Sequence, residues 1–180
     1  MQNDKARLLE LLVKFAYKKG EVKLSSGKIS NFYVDCRVVT LSAEGAYLCG
    51  KIIFDLIKNE NISAIGGPTI GADPLVGAIA TVSFENNKPI NTFIVRKTAK
   101  AHGMAKQIEG PSIPNGSKVI LIDDVATSGG SLIEAIGVLD KENIEVEKAI
   151  VVIDRQEGAK EALAQKNCQL ISLFTRADFK

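Results

Sequence analysis

Hydrophobic and polar residues follow two periods along this chain, one typical of amphipathic helices and the other of buried strands. Over the first third, apolar residues recur mainly at helical spacing, interrupted by two short runs with strand character. The elements predicted there are a helix over 4–18, strands over 22–24 and 31–35 joined by a turn at 25–28, and a helix from the N-cap Ser42 to about Lys58.

From residue 63 onward, short apolar runs alternate with helical patterns, which predicts a parallel sheet covered by helices on both faces. The predicted elements are strand 63–65, turn 66–68, helix 72–84, strand 92–95, strand 118–122, helix 130–140, strand 147–153, helix 158–166 and strand 170–173. Residues 97–117 contain several glycines and prolines and little hydrophobic period. Because a structureless segment of about twenty residues is uncommon in a compact domain unless it is functional or disordered, we expect 97–117 to be a flexible segment with a role beyond connection.

Composition changes this picture little. A chain of 180 residues with 46% hydrophobic and 24% charged residues fits a single domain over 1–180. The net charge of +2 gives no bulk attraction to nucleic acid or to an acidic membrane surface. The three cysteines form no C-x-x-C pair, which favours buried thiols in a reducing compartment. Since neither a signal-peptide core nor a membrane-spanning stretch is evident, we expect a cytoplasmic protein with no nucleic-acid or membrane partner.

The most informative segment follows the apolar strand 118–122. Two acids, Asp123 and Asp124, precede a turn of small and hydroxylated residues and then a helix. Such a turn, at the carboxyl end of a parallel strand and the start of a helix, is suited to a phosphate monoester, and the carboxylates can accept hydrogen bonds from ribose hydroxyls. The predicted phosphate-binding residues are Val125, Ala126, Thr127, Ser128, Gly129, Gly130 and Ser131.

Other interpretations of this loop are less favourable. It lacks both the G-x-x-x-x-G-K-[ST] pattern and the G-x-G-x-x-G fingerprint. If the two acids only capped the strand, two adjacent carboxylates at a buried strand end would be desolvated without a partner, which is costly. The sequence therefore favours a ligand that carries both a phosphate and a hydroxyl-rich ring.

A second cluster supplies cations at the start of segment 97–117. Arg96, Lys97, Lys100 and His102 lie within seven residues. They suit a pyrophosphate group, which Arg96 can bind bidentately. A solvated basic run is the usual interpretation of such a cluster, but this one contains the only histidine of the chain. We therefore expect these four cations, together with Asp124, to be the catalytic residues.

Several of these strings resemble known enzymes. The apolar strand, Asp-Asp, Thr-x-Gly-Gly and helix resemble the phosphoribosyl-pyrophosphate motif of type I phosphoribosyltransferases. The spacing R-K-x-x-K-x-H-G from Arg96, followed by Gln-Ile-Glu-Gly at 107–110, resembles the catalytic loop of the orotate phosphoribosyltransferase family. Residues 24–35 are similar to the substrate segment of that family, and D-R-x-E-G at 154–158 is similar to the strand end that supplies an arginine to orotate. The resemblance extends from about Leu8 through Gly158.

This resemblance implies an α/β type I phosphoribosyltransferase fold, with a parallel five-stranded core, helices on both faces and a small hood from roughly 1–40 and the carboxyl-terminal end. It implies transfer of the phosphoribosyl group to orotate in de novo pyrimidine (UMP) biosynthesis. Mg²⁺ would be held mainly by the substrate, with Asp123 and Asp124 as protein ligands. It also implies that the flexible segment 97–117 is the catalytic loop, and that the protein is a homodimer in which the loop 97–110 acts in trans. The orotate-binding residues that it implies are Thr127, Arg155, Tyr33 and Phe32.

The chain departs from some bacterial members of the family at Ser25 and Gly71, where those members carry lysines. We therefore expect pyrophosphate binding to depend more on backbone amides and on the loop. Two alternatives stay open. A phosphoribosyltransferase for another base would share residues 123–131 but should not need Arg155 or the Lys100-x-His102 spacing. A non-catalytic regulator that binds nucleic acid would lose the loop cations and gain a basic surface, whereas this chain keeps them.

Overall fold

A computed structural model of the chain describes residues 2–23, 29–98 and 106–179. The helices are α1 Gln2–Leu11, α2 Arg37–Thr40, α3 Ala43–Ile57, α4 Asp73–Glu85, α5 Gly130–Lys141 and α6 Ala159–Ala164. The strands are β1 Tyr17–Lys23, β2 Ile29–Val34, β3 Ala64–Pro68, β4 Asn91–Val95, β5 Ile108–Glu109, β6 Lys118–Ala126, β7 Glu145–Asp154 and β8 Gln169–Thr175. A π-helical turn, Leu12–Ala16, continues α1, and a 3₁₀ turn, Arg176–Asp178, follows β8.

The central sheet has the strand order β5-β4-β3-β6-β7-β8. Strands β4, β3, β6, β7 and β8 run parallel, and the short edge strand β5 pairs antiparallel with β4. The predicted five-stranded parallel core is therefore confirmed. Strand β5 lies inside the segment 97–117, where no secondary structure was predicted. No helix in the described part of the chain is long and apolar enough to cross a membrane.

Strand β6 is buried on both faces of the sheet, as its apolar sequence predicts. Ile120 and Ile122 pack in one cluster with residues of α1, α3 and α4, whereas Val119 and Leu121 pack in the other with residues of α5 and α6. This division follows from the alternation of side chains along a strand. The packed helices fix β6 at the centre of the molecule.

Strands β1 and β2 form a separate antiparallel hairpin. The ring of Phe32 in this hairpin lies 5.3 Å from that of Tyr17 and 5.5 Å from that of Phe179. This aromatic cluster joins the hairpin to the carboxyl-terminal end of the described chain, the two segments from which a hood was expected.

Several predicted boundaries were wrong, including the start of the first strand, which is Tyr17 rather than residue 22. The first helical segment ends at Ala16, where β1 begins, rather than near residue 18. Strand β3 continues through 66–68, where a turn was predicted, because Gly66 and Gly67 let it lie close to its neighbours. A Cβ on Gly67 would stand 1.9 Å from the carbonyl oxygen of Ile122. Strand β6 extends to Ala126, since its pairing with β7 continues through both acids.

Candidate active site

The two acids lie near the carboxyl end of β6 and are held by short local hydrogen bonds. Asp123 is 6% exposed, and its Oδ1 accepts from the Asp124 N–H at 2.9 Å. The Ser131 hydroxyl donates to Asp123 Oδ2 at 3.4 Å. Asp124 Oδ1 accepts from the Val125 N–H at 2.8 Å. The pair is thus oriented by the backbone that leads into the phosphate loop.

Burial makes these carboxyls reluctant to ionise. Desolvation, followed by the charge of Asp124, raises the pKa of Asp123 to about 8. Desolvation also raises the pKa of Asp124, although the Val125 N–H and the Arg37 guanidinium act in the opposite direction. Perturbed groups of this kind are characteristic of functional sites. A cation or hydroxyl donors placed here would favour the ionised forms.

The turn after β3 lies directly against the acidic pair. A Cβ on Gly71 would stand 2.2 Å from Asp123 Oδ1 and 2.5 Å from Asp124 Oδ1, so a side chain at this position would require the acids to shift. The Thr69 hydroxyl donates to Asp73 Oδ2 at 2.9 Å, which ties the turn to the start of α4. The other oxygen of Asp73, Oδ1, is buried and has no hydrogen-bond partner within the described residues. The backbone of Gly71 therefore approaches the acids as closely as their present positions allow.

The predicted phosphate loop connects β6 to α5. Gly129 adopts φ 81° as the residue before the helix, a conformation that favours glycine. The N–H groups in the first turn of a helix lack partners within the helix and are suited to an anion. Ser128, Gly130 and Ser131 are exposed, so a ligand can reach them. The loop and both acids therefore lie at one edge of the sheet, as the sequence predicted.

Arg155 lies next to this loop, directly after β7. Its N–H donates to the Ala126 carbonyl at 2.9 Å. Although only 8% of the residue is exposed, its guanidinium lies 5.8 Å from the ring centre of Phe32 and contacts the carboxylate of Glu157 at 2.7 Å. A second guanidinium, that of Arg176, lies 5.4 Å from the same ring centre. The structure thus brings together Arg155 and Phe32, two of the residues expected to bind the base.

The other two predicted base-site residues lie nearby in the chain. Tyr33 follows Phe32 in β2 and is partly exposed, and Thr127 is partly exposed in the phosphate loop. Sequence reasoning missed Glu157 and Arg176 as neighbours of the base site. The Arg-x-Glu spacing at 155–157 is a signal for the first of these, whereas Arg176 is brought there only by the fold.

The basic segment is described only at its start. Arg96 follows β4, and its guanidinium lies 3.3 Å from Glu109 Oε1. Its N–H donates to the Gln107 carbonyl at 2.8 Å. Lys97 is exposed. A cavity of about 330 Å³ extends from these two cations to Ser131, which links them to the phosphate loop. Lys100 and His102 lie outside the described residues.

The acids fit a metal ion that is held mainly by its ligand. Within residues 2–23, 29–98 and 106–179, no group of three or more His, Cys, Asp or Glu side chains is placed to hold a metal ion. Mg²⁺ commonly binds one or two carboxylates and completes its shell with water and substrate phosphates. Asp123 and Asp124 can supply such a pair, and ionisation on metal binding would offset their raised pKa values.

The parallel sheet with an Asp-Asp phosphate loop at the carboxyl end of its central strand is that of a phosphoribosyltransferase. Residues 41–176 match the family described as the phosphoribosyl transferase domain. The orotate phosphoribosyltransferase of Rhodopirellula baltica is 41% identical over 98% of this chain and 94% of its own length. That of Aquifex aeolicus is also 41% identical, over 95% of this chain and 94% of its own length. The chain therefore belongs to the orotate phosphoribosyltransferase family.

Solved structures agree with this assignment. A crystal structure of the Mycobacterium tuberculosis orotate phosphoribosyltransferase in complex with Fe(III) dicitrate has a TM-score of 0.86 and 36% identity, over 98% of both chains. A structure of the same enzyme in complex with phosphoribosyl pyrophosphate has a TM-score of 0.81 and 32% identity, over the same shares. The predicted type I phosphoribosyltransferase fold is confirmed.

Proposed function

We propose that this chain transfers the phosphoribosyl group from phosphoribosyl pyrophosphate to orotate, in de novo pyrimidine (UMP) biosynthesis. The products would be orotidine 5′-monophosphate and pyrophosphate. The observation that carries the proposal is the placement of Arg155. A buried guanidinium beside an aromatic cluster, joined by a backbone hydrogen bond to the phosphate loop, is suited to a base that carries a carboxylate.

The sugar phosphate would bind where the loop and the acids meet. The 5′-phosphate accepts hydrogen bonds from the backbone and hydroxyls of residues 125–131, at the start of α5. Asp123 and Asp124 accept hydrogen bonds from the ribose hydroxyls. These acids would also hold Mg²⁺, which would supply positive charge against the departing pyrophosphate. The raised pKa values of the two acids support this role, because the ribose hydroxyls and Mg²⁺ would both stabilise the ionised carboxylates.

The base would lie on the hood side of the sugar. Arg155 binds the orotate carboxylate. Glu157 holds the Arg155 guanidinium in place through their ion pair. Phe32 is only 2% exposed, so it supports the arginine, while the more exposed Tyr33 and Thr127 contact the base. The hood itself would consist of roughly residues 1–40 and the carboxyl-terminal end, joined through the cluster of Phe32 and Phe179.

The chemical step is attack of the orotate ring nitrogen on ribose C1 as the bond from C1 to the pyrophosphate oxygen breaks. The ring N–H of orotate is acidic and its proton passes to the departing pyrophosphate, so no strong protein base is needed and the main task is to stabilise that leaving group. We assign this task to Arg96, Lys97, Lys100 and His102. Glu109 would orient Arg96 through their ion pair. In the proposed homodimer the loop 97–110 serves the partner's site, and the enzyme acts in the cytoplasm.

Orotate consumption in the presence of phosphoribosyl pyrophosphate and Mg²⁺, followed by absorbance, tests the proposal. Arg155→Ala should raise KM for orotate roughly 10- to 100-fold and leave KM for phosphoribosyl pyrophosphate nearly unchanged, because only the carboxylate contact is lost. Lys100→Ala should instead lower kcat by roughly a hundredfold. Arg7→Ala removes an exposed arginine that is paired with Glu10 and Glu44 and is the matched control. Wild-type protein that binds phosphoribosyl pyrophosphate but leaves orotate unconsumed, and accepts a purine, would refute the assignment of the base.

A further inference from the structure

Arg37 is a rigidly held cation at the start of α2, close to the acidic pair. Its Nε lies 2.9 Å from Asp35 Oδ1, and one terminal nitrogen lies 3.2 Å from Asp35 Oδ2. The Arg37 N–H also donates to Asp35 Oδ1 at 3.2 Å. This two-point contact fixes the plane of the guanidinium. An arginine carries five N–H donors, so the second terminal nitrogen can still donate to another acceptor.

Arg37 lies beside the turn after β3, and that turn contacts the acidic pair. Asp35, Arg37 and Ile70 line a cavity of about 490 Å³. Ile70 precedes Gly71, whose backbone lies against Asp123 and Asp124. Burial raises the pKa of Asp124, and the charge of Arg37 acts against this rise. The pKa of Arg37 is itself raised, first by its hydrogen bond to Asp35 and to a smaller extent by the charge of Asp124. Arg37 and Asp124 are therefore near enough to interact electrostatically.

A polyanion bound beside the acids and the turn after β3 needs a cation there. The turn supplies none from position 71, which is a glycine whose backbone lies against the acids. The carboxylate of Asp73, which accepts from Thr69, adds further negative charge to the same turn. Of the described residues that line the 490 Å³ cavity, Arg37 is the one with positive charge. A pyrophosphate bound beside this turn would lie next to the Arg37 guanidinium.

We propose that Arg37, oriented by Asp35, binds the pyrophosphate group of the phosphoribosyl donor. This inference rests on the proposed function, since it names a further residue for the same substrate. Arg37 would hold the pyrophosphate from the side of α2, whereas Arg96 would approach it from the end of β4. Two guanidinium groups on separate elements would then fix the leaving group in one orientation before the sugar reacts.

Isothermal titration of Mg²⁺-phosphoribosyl pyrophosphate and, separately, of ribose 5-phosphate distinguishes this contact from a structural role. Arg37→Gln should weaken binding of phosphoribosyl pyrophosphate roughly 10- to 100-fold, as expected for a lost charge-assisted hydrogen bond. Binding of ribose 5-phosphate, which lacks the pyrophosphate, should change less than about twofold. Arg37→Lys should restore part of the affinity, because it keeps the charge but loses the two-point contact with Asp35.

Arg7→Gln is the matched control, because Arg7 and Arg37 are similarly exposed, at 49% and 47%, and each is paired with acids. It should leave both titrations unchanged. Equal weakening of the two ligands by Arg37→Gln, or no weakening of either, would overturn the proposal. If Arg37→Gln does not fold, as judged by circular dichroism, wild-type affinity in Arg37→Lys would overturn it instead. Wild-type protein that binds neither ligand would instead overturn the proposed function itself.

Discussion

Replacing Asp123 with asparagine should stabilise the protein at pH 8 far more than at pH 5. Burial and the neighbouring charge of Asp124 raise the pKa of Asp123 from 3.8 to about 8. A raised folded-state pKa gives stability that is fully present below the unfolded pKa and is lost as the pH rises toward the folded pKa. A pKa shift contributes about 1.36 kcal/mol per pH unit. Between pH 5 and pH 8 the free energy of unfolding of the wild type should therefore fall by about 4 kcal/mol relative to that of Asp123→Asn. The amide keeps an oxygen that can accept from the Asp124 N–H.

Denaturant unfolding of both proteins without ligands, at pH 5 and pH 8, measures this difference directly. Asp140→Asn is the matched control, since that carboxylate is exposed on α5 and is solvated in both states. If the free energy of unfolding of Asp123→Asn exceeds that of the wild type by the same amount at both pH values, the reasoning is refuted, because the asparagine would then act through packing alone. An advantage that grows toward low pH would show that the pKa of Asp123 is lowered by folding.

Three further perturbations probe the same architecture. Gly71→Ala places a methyl group about 2.2 Å from Asp123 Oδ1, so steady-state assays should show a large loss of kcat, and thermal melts a loss of about 1–3 kcal/mol; unchanged kinetics would contradict the close contact. Gly129→Ala forces a side chain into φ 81° and should destabilise the protein by about 1–2 kcal/mol, which chemical denaturation can measure against Gly137→Ala, where a Cβ meets open space. Burial raises the pKa of all three cysteines, so a thiol reagent should label them only after unfolding; rapid labelling of native protein would show that one is accessible.

Much of the fold could be predicted because the pattern of apolar residues along each segment agrees with the burial of that segment in the structure. An apolar run such as 119–122 can be satisfied only where both faces of a strand are covered, and the structure covers both. The position of the acids followed from the same argument, since parallel strands present their carboxyl ends at one edge. The phosphate loop was therefore predictable from residues that are adjacent in the chain.

The remaining features depend on contacts between distant segments. The close approach of Gly71 to Asp123 cannot be read from either segment alone, because it depends on the register of β3 beside β6. The pairing of Arg37 with Asp35 is local, and the Asp-x-Arg spacing at 35–37 is a signal for it. The nearness of Arg37 to Asp124 has no such signal in the sequence, because the fold brings the two residues together. Strand β5 escaped prediction because two residues are too few to show a period.

The hydrogen bond between the Arg155 N–H and the Ala126 carbonyl has a consequence for how substrate preference can change in this family. It continues the pairing of β6 with β7, in which Ala126 lies opposite Asp154. The distance between the sugar-phosphate loop and the residue proposed to bind the base is thus set by main-chain geometry, which point substitutions leave in place. A new acceptor would have to be accommodated by exchanging side chains such as those of Arg155 and Tyr33. Insertions within β6 or β7 would shift this ladder, so a change in the spacing of the two subsites should be rarer than a change of side chain.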